Sequence, residues 1–221
     1  MESNDTEEFN ALAEEHQQII RDFEEYHEKV LELTGDLSDW KQISDRNGMQ
    51  IYTQSAEGKG KYVRAEGEFD FPASLVADYA CDTEIRCEIE KMLKEATIVE
   101  EIGSGLGYEY ARMKGSFIFS DRDFCTVRHR KEEENGRIII TAYSAEHPDC
   151  PKVKKAVRGT MHIFGYVITP NSEDDQKCTA QLIVHANLGG NIPGMIANKV
   201  VEANGKFLHK LNKKLKADSE E

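Results

Sequence analysis

Residues 185–216, HANLGGNIPGMIANKVVEANGKFLHKLNKKLK, decide the fold. Within them Ile192, Ile196, Val200, Ala203, Asn204, Phe207, Leu208, Leu211 and Leu215 fall on one stripe of a helix. The helix opens at Asn191-Ile192-Pro193 and closes near Lys216. Upstream the pattern is that of strands, expected at Ile98–Ile102, Leu106–Phe119, Asp123–Lys131, Arg137–Ser144, Ala156–Thr169 and Cys178–Asn187. Turn residues separate them at Gly103-Ser104-Gly105, Glu134-Asn135-Gly136 and Pro170-Asn171-Ser172. Six consecutive strands imply an antiparallel meander, and a long amphipathic helix that follows has only the face of that sheet on which to bury its stripe. The expected class is therefore α+β: a helix-grip fold, a curved antiparallel sheet wrapped around a long C-terminal helix, with an N-terminal helix in addition.

Further towards the N-terminus, Pro72 stands where a first-turn proline would, and helical segments are expected at Ala73–Tyr79 and Ile85–Leu93. Before them, runs from Met49 to Ser55 and from Lys61 to Phe71 form a hairpin across Glu57-Gly58-Lys59-Gly60. Residues 7–33 place Phe9, Leu12, Ala13, Ile19, Ile20, Phe23, Val30 and Leu33 near one side of an amphipathic helix, in one piece or two, which Gly35 ends.

At 221 residues, with 39% hydrophobic and 31% charged side chains, the chain has the balance of one soluble globular domain. No run approaches the ~18 apolar residues of a membrane span. The opening MESNDTEEFN lacks a signal peptide's basic-then-apolar order, so a cytoplasmic location is expected. Five scattered cysteines without a CxxC argue against a disulfide framework or zinc site. There is no HExxH and no GxSxG, and the glycine run Gly103–Gly107 leads into a strand rather than a helix. No catalytic residue, cofactor or metal is expected.

The formal charge of -13 argues against a nucleic-acid partner, and it is unevenly distributed. Residues 1–40 carry 13 acidic and two basic side chains, a net of -11, whereas 199–216 hold six lysines against Glu202, a net of +5. The two ends could attract one another, the basic helix could meet anionic headgroups, or its lysines could simply be solvated.

Several segments carry a resemblance. Ser120-Asp121-Arg122-Asp123-Phe124, Ser144-Ala145-Glu146-His147-Pro148, Val157-Arg158-Gly159, and above all His185-Ala186-Asn187-Leu188-Gly189-Gly190-Asn191-Ile192-Pro193 with Ile196-Ala197-Asn198 resemble, in order, the steroidogenic acute regulatory protein-related lipid transfer (START) family. The resemblance runs from about Trp40 to Leu215. It departs after Arg86, where Cys87-Glu88-Ile89-Glu90 stands in place of the family's frequent tryptophan and aspartate. It implies an acidic helical segment at 1–39, a lipid-binding domain at 40–217 and a disordered tail at 218–221. It also implies a monomeric carrier that holds one sterol or phospholipid in an internal tunnel and touches membranes transiently. A helix-grip enzyme of cyclase or hydrolase type, or a ligand-gated interaction module, is the alternative.

Alternation puts Glu109 on one strand face with Ala111 and Met113, and Arg128 on one face with Phe124 and Thr126. Both faces read as inward, where a lone charge costs several kcal/mol, so each charge needs a partner or a ligand group. The resemblance implies a tunnel pair of Glu109 with Arg128, as in sterol-binding members, and matches Arg86 to the phosphate-contacting arginine of phosphatidylcholine-binding members. The choice between sterol and phospholipid stays open. Met113, Ile140, Met161, Ile163, Leu182, Met195, Val200, Phe207 and Leu208 are candidate apolar lining.

Overall fold

A computed structural model describes residues 2–56, 60–117, 119–190, 192 and 203–220. Two helices open the chain, α1 (Glu2–Ala11) and α2 (Glu14–Thr34), followed by strands β1 (Lys41–Arg46), β2 (Met49–Ser55) and β3 (Lys61–Phe69). Helices α3 (Ala73–Cys81) and α4 (Thr83–Ile89) come next. Then follow β4 (Leu93–Gly103), β5 (Leu106–Met113), β6 (Asp121–Glu132), β7 (Ile138–Ser144), β8 (Ala156–Arg158), β9 (Thr160–Pro170), β10 (Cys178–Asn187) and helix α5 (Phe207–Ser219).

All strands belong to one sheet of order β1-β2-β3-β10-β9-β7-β6-β5-β4, with the short β8 lying parallel to β6. The expected meander is present, and its last strand closes against the first hairpin, with Ala65 opposite Leu182 and Val63 opposite Val184. Helices cover both faces of this sheet, as the helix-grip arrangement requires. On the inner face Val63, Ile138, Ile168, Leu182 and Val184 meet Val76 and Ala77 of α3 and Leu208, Leu211 and Leu215 of α5. On the outer face Ile163, Val167 and Ile183 meet Val30 and Leu33 of α2, while Leu106 and Val127 meet Phe23.

Helix α2 is fixed at its C-terminal end by side chains of the sheet. A helix leaves its last carbonyls without intrahelical donors. Here Arg64 donates to Leu33 O (3.3 Å) and Gly35 O (2.9 Å), and Gln181 donates to Thr34 O (3.0 Å). The buried Arg64 charge is answered by Glu66 at 2.6 Å. In the middle, helix and sheet touch so closely that a Cβ on Gly165 would stand 2.5 Å from Val30 Cγ2.

Several boundaries differ from expectation. Strand β1 was not foreseen; it is an exposed edge strand with almost no apolar pattern. The first two helices break at Leu12-Ala13. The segment expected to be helical through Leu93 stops at Ile89, and β4 begins at Leu93. The strand expected to reach Phe119 ends at Met113, and the one expected over 156–169 is split at Gly159, where a Cβ would lie 2.4 Å from the Phe124 ring. The C-terminal stripe is helical from Phe207 through Ser219 after a turn at Gly205-Lys206; a Cβ on Gly205 would lie 2.6 Å from Ile51. Its expected first half, like the tip of the 57–60 turn, lies outside the described residues.

The Gly165–Val30 contact gives a test of α2 docking. Gly165→Ala should destabilise the protein by about 1–3 kcal/mol through overpacking. In a Val30→Ala background the same change should cost clearly less, so a double-mutant cycle by urea unfolding should return a favourable coupling.

Candidate functional site: an internal cavity with a charge-paired polar end

Among the described residues, helices do not fill the inner face along its whole length. Between β5, β6, β7, β9 and β10 on one side and the ends of α3, α4 and α5 on the other lies a cavity. Its walls are mainly apolar: Ala111, Met113, Phe124, Ile140, Ala142, Met161, Phe164, Leu182, Val184, Ala186, Leu188, Leu93, Ala80 and Phe207. Polar groups enter it from Cys81, Arg86, Glu90, Glu109, Thr126, Arg128, Tyr166 and Asn204.

Arg86 is carried by α4, whose start is fixed by Asp82: one carboxylate oxygen accepts from the amides of Glu84 and Ile85, both at 2.8 Å. From there the guanidinium reaches across to the carboxylate of Glu109 on β5, and the two are directly hydrogen-bonded. Burial works against the Arg86 charge, but Glu109 and then Tyr166 outweigh it and hold the guanidinium above its ordinary pKa. Burial likewise drives the Tyr166 phenol well above the ordinary value, although Arg86 pulls the other way. Burial also raises the Cys81 thiol, against the fields of Arg128 and Arg86. These hydroxyl and thiol groups are therefore neutral donors at pH 7.

The expected partnership of Glu109 with Arg128 is corrected. Both side chains line the cavity, as strand alternation requires, but Arg128 bonds Glu101 of β4. The reason is geometric: Arg128 lies opposite Gly107 and Glu109 opposite Thr126, so neither carboxylate nor guanidinium is the other's cross-strand neighbour. Each finds its charge off the strand pair, Glu109 from the helix above and Arg128 from the next strand. The Arg128 Nε is buried and makes no hydrogen bond among the described residues.

Of the ten residues expected to bind lipid, Arg86, Glu109, Met113, Arg128, Ile140, Met161 and Phe207 line this cavity. Leu208 does not; it is fully buried in the core one position beyond Phe207. Met195 and Val200 lie outside the described residues. Leu182 lines the cavity, but Ile163 packs under α2 on the opposite face. A bulge explains this: Ile163 pairs with His185 and Met161 with Ala186, so His162 is an extra residue that reverses the alternation. Sequence reasoning did not single out Tyr166, Cys81 or Glu90. The alternation of Ile140, Tyr166 and Leu182 across neighbouring strands was the signal available for the tyrosine.

The rim is held by Arg122. Its guanidinium is buried and donates to the carbonyls of Leu188 (2.8 Å), Gly189 (3.2 Å) and Ser120, with the Phe119 ring 5.2 Å away. It thereby ties the start of β6 to the segment that follows β10. Across the cavity mouth, Lys210 of α5 bonds Glu90 at 2.7 Å.

Fold and cavity together define a helix-grip protein built around one internal, largely apolar chamber with a paired polar end. Comparison with known proteins places it further: the START domain profile matches residues 20–217, and the chain belongs to that family. It is 29% identical over 179 residues to StAR-related lipid transfer protein 5 of Mus musculus, covering 77% of this chain and 83% of that protein. It is 24% identical over 193 residues to the mitochondrial steroidogenic acute regulatory protein of Danio rerio, covering 86% and 67% respectively. Among solved structures, human StAR-related lipid transfer protein 5 superposes with a TM-score of 0.83 at 24% identity, covering 92% of this chain and 99% of that one. No helix among the described residues is long and apolar enough to cross a membrane.

The paired charge is testable without a ligand. Glu109→Leu should cost about 3–5 kcal/mol, because it leaves the Arg86 guanidinium buried and unanswered. The double variant Arg86→Met/Glu109→Leu should regain most of that loss in equilibrium unfolding. A single variant as stable as the parent would show that the pair is not buried in solution.

Proposed function

We propose that this protein carries one lipid with an uncharged, hydroxyl-bearing head, a sterol-like molecule rather than a phospholipid, in the internal cavity. The observation that carries the reading is the bond between Arg86 and Glu109. A phosphodiester would have to take Arg86 from Glu109 and leave a carboxylate buried beside the phosphate, two like charges in a poorly solvated site. A neutral hydroxyl needs no such exchange. It can accept from the Arg128 Nε–H, or use the Thr126 or Tyr166 hydroxyls, directly or through water, while the apolar walls take up the hydrocarbon. The function of the relatives, lipid transfer by name, supports the carrier class.

Delivery requires contact with a membrane, and the cavity rim suits it better than the basic C-terminal helix. The α5 lysines are largely engaged: Lys210 with Glu90, Lys214 with Glu88 and Asp218, Lys216 with Asp70 at 3.7 Å. At the rim, Phe117 is fully exposed and Met92 partly so, with Lys91 and Lys114 beside them in sequence, while Lys94 pairs with Asp121 at 3.2 Å. The Lys114 amide bonds Met92 O at 2.7 Å, which joins the two segments, and their neighbours Leu93 and Met113 line the cavity. Exposed Lys152, Lys154 and Lys155 precede β8, which runs along the start of β6 at the same end. An apolar tip among lysines is the pattern of a surface that meets anionic headgroups.

Native mass spectrometry of the purified protein, followed by lipid extraction and identification, is the deciding experiment. A single co-purifying neutral, hydroxylated lipid is the expected result. A phospholipid would overturn the head-group assignment, and an empty protein that takes up nothing from vesicles would overturn carriage itself. Arg128→Leu should weaken sterol binding by about tenfold, the worth of one hydrogen bond to a charged donor. Phe117→Asp should leave binding in solution unchanged and slow transfer from phosphatidylcholine vesicles containing phosphatidylserine several-fold.

A further inference from the structure

Two histidines are buried where α2 meets the outer face of the sheet. The rings of His27, from α2, and His129, from β6, lie 5.2 Å apart at 23°. They are 2% and 6% exposed and stand among the rings of Phe23, Tyr26 and Tyr143. His129 Nε2 lies 3.1 Å from Ser104 O, while its Nδ1 has no hydrogen bond among the described residues. Neither ring nitrogen of His27 makes a hydrogen bond of normal geometry. The same turn at Ser104 offers its amide to Glu8 of α1 at 2.6 Å, so both N-terminal helices converge on this point.

We propose that this histidine pair is an acid-sensitive clasp: α2, and α1 with it, are held to the outer face while both imidazoles are neutral, and are released as they protonate. Two imidazolium ions stacked in an aromatic pocket would repel each other, and of their four N–H groups only one of His129, toward Ser104 O, and one of His27, toward the His129 backbone, have an acceptor in reach. The charged groups that face the pair are few. From α2 this is Glu24, which Lys131 of β6 already binds at 2.8 Å, while Asp22 lies by the Tyr26 and Tyr143 phenols and accepts from Gln18. The Tyr26 and Tyr143 phenols, both raised by burial, stay neutral, and Glu8 is engaged at the far side of Ser104. Glu24, shared with Lys131, is thus the carboxylate whose field reaches both rings.

Burial pushes both imidazoles from 6.5 down to about 4, reinforced at His27 by the field of His129. The sign follows directly. Docking is undiminished above about pH 6.5, and below it each pH unit favours the released state by up to about tenfold per histidine, until the docked pKa is reached. Release uncovers Phe23, Val30 and Leu33 of α2 and Leu106, Val127, Ile163, Val167 and Ile183 of the sheet, while the core under α5 lies on the other face. The clasp does not depend on what the cavity holds.

Hydrogen–deuterium exchange resolved by peptide, corrected for the intrinsic pH dependence of exchange, tests this on the full chain. Between pH 7.5 and 5.0 protection of residues 20–34 should fall by at least tenfold more than that of β9 and β10. His27→Phe, which keeps the ring packing, should flatten this dependence. His129→Gln, which keeps a donor for Ser104 O, should do so independently if the first variant folds poorly. Loss of protection in α2 that merely parallels the strands, or a wild-type pH response in both variants, would overturn the proposal.

Discussion

A sheet with apolar side chains on both faces can persist in water only if both faces are covered, and everything else in this molecule follows from how unequally that is done. The outer face receives α2, pressed close enough that only glycine fits at position 165 and anchored at its end by Arg64 and Gln181. The inner face receives three helices, none of which spans it over the described residues. Where α3 and α5 lie on β3, β9 and β10 the core is solid, with Leu208, Leu211 and Leu215 sealed. Towards β5 and β6 the described helices no longer fill the space, and the cavity lies there.

A chamber walled by an inner sheet face would ordinarily be apolar, yet this one admits two guanidinium groups, Arg86 from α4 and Arg128 from β6. The cost of burying them is offset by carboxylates on other elements, Glu109 of β5 for Arg86 and Glu101 of β4 for Arg128. Neutralised in this way, the polar end is a set of directed donors rather than a net charge, a chemistry suited to hydroxyl recognition. Arg122 shows another solution to the same problem. It is satisfied by backbone carbonyls and an aromatic ring and serves to hold the rim together.

Much of this was legible before the structure. The meander, the C-terminal helix and the inward faces of Glu109 and Arg128 all follow from periodicity, because burial of a face imposes a repeat. What periodicity does not encode is which element supplies the partner across a face. That depends on the position of α4 and the bulged edge of β4, both three-dimensional facts. The same limit hid β1, whose side chains are mostly exposed and need no repeat, and misassigned Ile163, since one inserted residue at His162 reverses every parity argument beyond it. Phe207 and Leu208 are adjacent in the stripe, but only the first turns to the cavity.

The unequal covering also sets how firmly each helix is held. Separating α2 from the sheet would expose Phe23, Val30 and Leu33, each worth roughly 1.5–3 kcal/mol when fully buried. The mouth between α4 and α5 is bridged instead by Lys210 with Glu90 and Lys214 with Glu88, partly solvated pairs of the kind that contribute at most about 1 kcal/mol each. Local opening follows the weakest set of contacts. Between α4 and α5 the packing of Ile89 is supplemented by ion pairs, which water or a charged headgroup can replace at little cost, whereas no solvent component replaces the apolar contacts of α2. Of these two contacts the polar edge between α4 and α5 is the weaker, and Glu90 there both lines the cavity and stands two residues before Met92 at the rim.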